Sequence, residues 1–251
     1  MLIAVVTAPV GVSGAVFLLP LQLSVFGVPN PAVTPTNLLY NVVAGPGALL
    51  RHHRSGALRA PLVRLLVLGT LPGVVIGAVL RVFVLPGPHV FRLLVAALML
   101  PLGIWLVVRT LRPREPKAGR PEPAPRTITC LALAVGVVGG IYGIGGGSIL
   151  GPILVGRGIS VAKAAPAALA STFATSLVGA TTYALLSLTP TGNIAPDWSL
   201  GLACGLGGLI GGYIGARLQP HLPETLLRLL LGTLATALGA LYGAETAATV
   251  V

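Results

Sequence analysis

Six apolar stretches of this chain, residues 33–50, 62–84, 90–110, 164–188, 198–218 and 223–242, approach the length needed to span a bilayer. A helix crosses the hydrocarbon core in about 20 residues. In lipid a backbone must satisfy its polar groups within helices or a closed barrel, so long apolar runs of this kind point to a helical membrane protein. Composition agrees. Only 8% of the residues are charged and 55% are hydrophobic, against roughly 25% charged in a soluble domain. A water-facing surface cannot be built from this chain, and its main partner is the lipid bilayer. The 34 glycines and 22 prolines suit helices that pack through small residues and tolerate breaks.

Two further apolar segments are interrupted. Residues 2–26 contain Gly11, Ser13, Gly14 and Pro20, and residues 127–155 contain Gly143, Gly145, Gly146, Gly147, Ser148 and Pro152. Each glycine costs a continuous helix about 1 kcal/mol relative to alanine. Each segment is therefore expected to form two short helices joined by an extended break. Between the halves lies a Pro- and Arg-rich stretch, residues 112–126, which cannot continue a helix or enter lipid. The chain thus divides into a first membrane repeat (1–111), a linker (112–126) and a second membrane repeat (127–251).

Landmarks recur across the linker in the same order. Gly73, Gly77, Ala78 and Leu80 match Gly211, Gly215, Ala216 and Leu218. Arg92 with Leu93 and Leu94 matches Arg228 with Leu229 and Leu230. Pro20 matches Pro152, and Pro35 matches Pro166. The isolated small-residue pairs read as helix-packing positions, but their recurrence in register points to duplication.

Charge decides how the halves are oriented. If each broken segment crosses the membrane, basic residues divide fairly evenly between the two faces. If each re-enters, Arg81 and Arg92 stand opposite the other fourteen of the sixteen Lys and Arg residues. The positive-inside tendency favours the second arrangement, in which the halves are inverted, as in many secondary transporters. The expected fold is an all-α polytopic membrane protein of two homologous halves, each a re-entrant segment plus three transmembrane helices. Both termini, Asp197 and Glu245 then face outward, and the linker faces the cytoplasm. The net charge of +11 reads as cytoplasmic loops and not as a nucleic-acid surface, because the basic residues sit between apolar stretches. Met1, Leu2 and Ile3 give no basic leader, so no cleaved signal is expected.

The run from Val138 to Leu154, with Gly143, Gly145, Gly146, Gly147, Ser148 and Pro152, resembles the TauE/SafE sulfite-exporter-like family. So do Ala164 to Thr172, the Gly192, Asn193 and Ile194 motif, Asp197 with Trp198, and the glycine-rich helix ending at Gly211–Leu218. In the first half the glycine run is reduced to Gly11, Ser13 and Gly14. The resemblance implies a bacterial inner-membrane permease for sulfite, sulfoacetate or other sulfur-containing or organic anions.

The residues themselves suggest where an anion meets the protein. A half-helix starting near Ser148 presents unpaired N–H groups and a positive dipole end, and Gly145, Gly146 and Gly147 allow close approach to the backbone. Ser148 is placed to cap that helix or to donate to substrate, and Ser13 is its counterpart in the first half. Thr34, Asn37 and Asn41 share one helix face, while Ser171, Thr172, Thr175 and Ser176 line the matching helix. Polar groups at membrane depth need partners, so these face the interior, lining an anion path or holding helices together. Arg157 and Lys163 flank the second break, where they serve topology or draw anions to its mouth. His52 and His53 are expected in a solvated basic loop.

Absences narrow the chemistry. Glu115, Glu122, Asp197, Glu224 and Glu245 all fall outside the apolar stretches, leaving no obvious carboxylate relay for protons and favouring a protonatable anion bound by neutral donors. Cys130 and Cys204 lack metal-site spacing, so no metal or other cofactor is expected. No Ser/His/Asp set, HExxH motif or paired carboxylates indicate an enzyme. A non-transporting scaffold or assembly factor explains the apolar helices but not the duplicated breaks. A homo-oligomer is compatible with the sequence.

Overall fold

The computed structural model describes residues 1–28, 30–84, 89–112, 124–188 and 195–248, and among them every regular element is helical. Helix α1 (Leu2–Thr7) leads through a 3-10 turn (Ala8–Val10) to α2 (Ala15–Ser24). Then follow α3 (Asn30–Arg54), α4 (Pro61–Phe83) and α5 (His89–Leu111). The second half comprises α6 (Pro125–Tyr142), α7 (Gly146–Gly156), α8 (Val161–Leu186), α9 (Trp198–Leu218) and α10 (Glu224–Ala248). Most of the linker, the Gly192, Asn193 and Ile194 motif, and the side chains of Arg92 and Glu245 lie outside the described residues. Helices α4, α6, α8, α9 and α10 are long and apolar enough to cross a membrane.

The chain is turned inside out relative to a soluble protein. Gln22, Thr34, Asn37, Asn41, Thr70, Ser171, Thr172, Thr175 and Ser176 are buried, while leucines, valines and isoleucines of α4, α8, α9 and α10 face outward. With lipid as solvent, burying an apolar side chain gains little, and helices associate through close backbone packing. Helix α3 runs longer than its apolar stretch, through Pro35 and Pro46, and takes in the basic end. His52, expected in solvent, is buried in its last turn, with Nε2 unpaired among the described residues.

Glycine seams set the helix directions. Gly69, Gly73 and Gly77 of α4 lie successively against Ala132, Gly136 and Val137 of α6, so those helices run parallel. Gly211 and Gly215 of α9 follow Met1 and Val5 of α1 in the same sense. Gly201, Gly205 and Gly212 track Leu39, Val43 and Ala48 of α3, so α1, α3 and α9 share one direction. Helix α8 runs parallel to α4, with Ser171 bonded to Thr70 and Gly179 against Val74. It opposes α3, since Gly179 touches Leu38 while Phe173 abuts Gly45. Thus α1 packs on α9 as α6 packs on α4, and α3 packs on α9 as α8 packs on α4.

The segments beyond the breaks reverse. Gly145, just before α7, and Gly151 within it lie against Thr172 and Ala168 of α8, so α7 opposes α8 and therefore α6. Across α2 and α3, Ser13 meets Asn41 and Gln22 meets Asn37, an antiparallel pair. Both interrupted segments are helical hairpins with their tips at the centre of the bundle.

Side chains at helix ends fix these elements. Glu224 Oε1 accepts the Val161 N–H at 2.9 Å, which caps α8 from α10, and also accepts from Arg228 at 3.1 Å. Asp197 caps α9 by accepting the Leu200 N–H at 3.0 Å, and its own N–H donates to Thr36 on α3 at 2.8 Å. Hydrogen bonds from Leu200 and then Ser199 hold the Asp197 carboxyl below its usual range. Such a carboxylate stabilises the fold at pH above its unfolded range and loses that contribution as pH falls through its lowered folded value. Melting temperature should therefore fall on acidification less steeply in Asp197→Asn than in the natural protein, a comparison made by thermal scans across the acid range.

Candidate functional site

The second tip is built by glycine at two turns. Gly143 (φ +70°) ends α6 in the left-handed conformation and Gly145 (φ +71°) turns the chain into α7. Side chains of α3 and α8 satisfy the carbonyls left free at the end of α6. Gly140 accepts from Tyr183 Oη at 2.9 Å, Ile141 from Thr34 Oγ1 at 3.2 Å and Gly143 from Asn41 Nδ2 at 3.3 Å.

The two tips are tied directly together. Ser13 Oγ donates to Asn41 Oδ1, and the Ser13 N–H donates to Ser148 Oγ at 3.0 Å. Ser148 Oγ in turn donates to Ile144 O at 3.3 Å. Ser13, Asn41, Gly143, Ile144 and Ser148 therefore form one ring, hydrogen-bonded and closed by the Gly143–Ile144 peptide, that joins both breaks to α3. Ser148 does not cap α7, which begins at Gly146 behind Gly145. Its hydroxyl is engaged within the ring because the first tip approaches closely enough to use it.

The starts of the two inner half-helices differ. At α2 the Ala15 N–H reaches Ser13 Oγ at 3.2 Å and the Leu18 N–H reaches Gly14 O at 3.1 Å. At α7 no side chain caps the helix, although Gly146, Gly147 and Ser148 are all buried. Beside that end lies Thr172 of α8, 3% exposed, with Oγ1 unpaired among the described residues. Thr172, Thr7, Ser13 and Asn41 line a cavity of about 40 Å³ between the first tip, α3, α8 and α9. Thr7 is 1% exposed and its hydroxyl is likewise unpaired. An unpaired hydroxyl at membrane depth is costly unless something enters to bond it.

The sequence-derived candidates thus separate. Ser13, Asn41 and Ser148 share the ring, Gly145, Gly146 and Gly147 form the tip, and Thr172 faces the cavity. Asn37 packs against the tip and accepts from Gln22 Nε2 at 3.0 Å. Ser171 bonds Thr70 of α4 at 3.0 Å, while Thr175 bonds back to the carbonyls of Ser171 and Thr172 on its own helix. Arg157 and Lys163 are exposed beyond the end of α7. Sequence reasoning passed over Thr7, Gln22, Thr70 and Tyr183. Gln22 carried a signal, an amide within the otherwise apolar Ala15–Leu23 run, whereas isolated Thr and Tyr in apolar helices carry none.

No curated protein and no solved structure matches the chain. The family described as Sulfite exporter TauE/SafE matches residues 1–242, spanning both hairpins and all the helices that carry the ring and the cavity. With its buried polar centre and lipid-facing apolar exterior, the chain belongs to the TauE/SafE sulfite-exporter family of membrane transporters.

Proposed function

We propose that this protein carries a small oxyanion, with sulfite the first candidate and organosulfonates and carboxylates next, and holds it at the start of α7. The observation that carries this reading is the uncapped, buried N-terminus of α7 beside the unpaired Thr172 hydroxyl. Backbone N–H groups and the helix dipole favour an anion there, and Thr172 joins that end to the cavity it lines. The donors are neutral, which holds a monoanion without the desolvation cost of a buried cation.

The opposed directions of α3 and α8, and the exchange of partners by α1 and α6 on α9 and α4, support inverted repeats and re-entrant hairpins. Alternating access then comes from one half rocking against the other about the joined tips. In this arrangement the linker faces the cytoplasm of a bacterial cell, which thiol labels placed at residue 120 and at each terminus would test. Termini and linker labelled from the same side would overturn it.

Purified protein in liposomes should move sulfite down its gradient. Thr172→Val, which removes the hydroxyl and keeps the shape, should lower flux about tenfold, the value of one hydrogen bond of about 1.4 kcal/mol. Absence of flux and of thermal stabilisation for sulfite, thiosulfate, sulfoacetate and simple carboxylates would sink the transport reading.

A further inference from the structure

Gln22 and Asn37 are each 0% exposed, and Gln22 Nε2 donates to Asn37 Oδ1 at 3.0 Å. That one bond leaves Gln22 Oε1 and Asn37 Nδ2 without partners among the described residues. Exchanging O and N on both amides reverses the bond and leaves the Gln22 amino group and the Asn37 oxygen unpaired instead. In either assignment the hydrogen-bonded pair presents one unpaired acceptor and one unpaired donor among the described residues.

We propose that this amide pair is a second station for the transported species and that it takes the protonated form of an oxyanion, such as hydrogen sulfite. The proposal rests on the transport reading and adds the protonation state of what is carried. A hydroxyl on the oxyanion donates to the free amide oxygen, while another of its oxygens accepts from the free amide N–H. A fully deprotonated oxyanion offers acceptors alone and sets a negative oxygen against the amide oxygen.

Location separates this station from the cavity. On α3, Asn37 precedes Asn41 of the ring by about one turn, whereas the cavity lies along Tyr40, Asn41, Ala44 and Ala48 in the other direction. Asn37 also touches the second tip, since a Cβ built on Gly143 would lie 3.1 Å from its own Cβ. The ring therefore stands between the two stations, and a tip movement that opened it would connect them.

No acid or base on the protein need supply the proton. Among the described residues, α3 carries Tyr40, α8 carries Tyr183, and α6 carries Tyr142 at its end with Arg126 and Cys130 in its first two turns. Tyr183 donates to Gly140, and Arg81 of α4 lies near it. Asp197 starts α9, and His52, His53, Arg51, Arg54 and Lys163 lie at the far ends of α3 and α8. α2 carries no ionisable side chain. The pH dependence of transport should thus be that of the substrate.

The test is sulfite flux into liposomes at fixed total sulfite over a pH series. Initial rates in the natural protein should follow the hydrogen sulfite concentration, and methanesulfonate, which carries no titratable proton in that range, should not be moved even where it binds at the start of α7. Gln22→Met, similar in length but without the amide, should lower flux at least tenfold and flatten its pH profile. Rates that follow total sulfite or the dianion, or methanesulfonate moving as fast as sulfite, would overturn the proposal without any variant. Natural flux and pH profile in Gln22→Met would also overturn it, leaving the pair as a water site. In those cases flux is present and the transport reading stands. Absence of flux in the natural protein removes both.

Discussion

Gly147→Ala is expected to lower stability by about 3 kcal/mol, at the upper end of overpacking costs, and to abolish anion-dependent stabilisation. A Cβ at this position would fall on the carbonyl oxygen of Ala168 and within 2.6 Å of Thr172 Oγ1. The first obstacle is backbone, so no rotamer change relieves it. α7 would have to withdraw from α8 at the point where its first turn lies against Thr172. In a chain of this size roughly 3 kcal/mol corresponds to a fall in Tm of about 6–12 °C. Gly151→Ala is the matched control. It sits one turn along the same helix, with nothing nearer than 3.8 Å to the added Cβ. Alanine there should raise Tm slightly, since it is the better helix former, and leave flux unchanged. Melting scans with and without sulfite, together with liposome flux, check both variants. Equal behaviour of the two would remove the special role given to the start of α7.

Asn41→Leu should be nearly as damaging for a different reason. Asn41 accepts from Ser13 and donates to Gly143 O, joining both tips to α3. Leucine fills similar space but leaves the buried Ser13 hydroxyl with no acceptor for its proton and the buried Gly143 carbonyl without its side-chain donor, at about 1–3 kcal/mol for each group. We expect a loss of about 2–6 kcal/mol from these two groups together and flux reduced beyond tenfold, because the tips no longer hold a single register. Detergent melting and sulfite flux measure the two effects separately. Natural Tm in this variant would mean that the ring does not hold the tips.

Much of the architecture was legible before any coordinates. The glycine run from Gly143 to Gly147 marked the second break because φ near +70° at Gly143 and Gly145 suits glycine and few other residues. The first break was legible from Gly11 and Gly14 with less force, since fewer glycines interrupt it. Gly73 and Gly77, with Gly211 and Gly215, read as packing positions, and they lie against the backbones of α6 and α1. Asn41 stood out because an amide in an apolar helix must find partners. The fate of each hydroxyl was not legible. Ser148 is spent on Ser13, 135 positions away, and Thr175 is spent on its own helix, yet both occupy comparable apolar surroundings in the sequence.

By itself, then, the sequence determined a helical membrane protein with two interrupted segments. Charge scarcity, apolar length and glycine conformation are local properties that act wherever the chain lies. Only the tertiary structure decided which of the buried polar groups bond one another and which are left unpaired. Ser13 meets Ser148, Gln22 meets Asn37, and Thr172 is left beside the bare end of α7. Those outcomes depend on how helices from both halves cross at the centre, and contacts between distant positions are set by packing, to which spacing along the chain gives no direct guide.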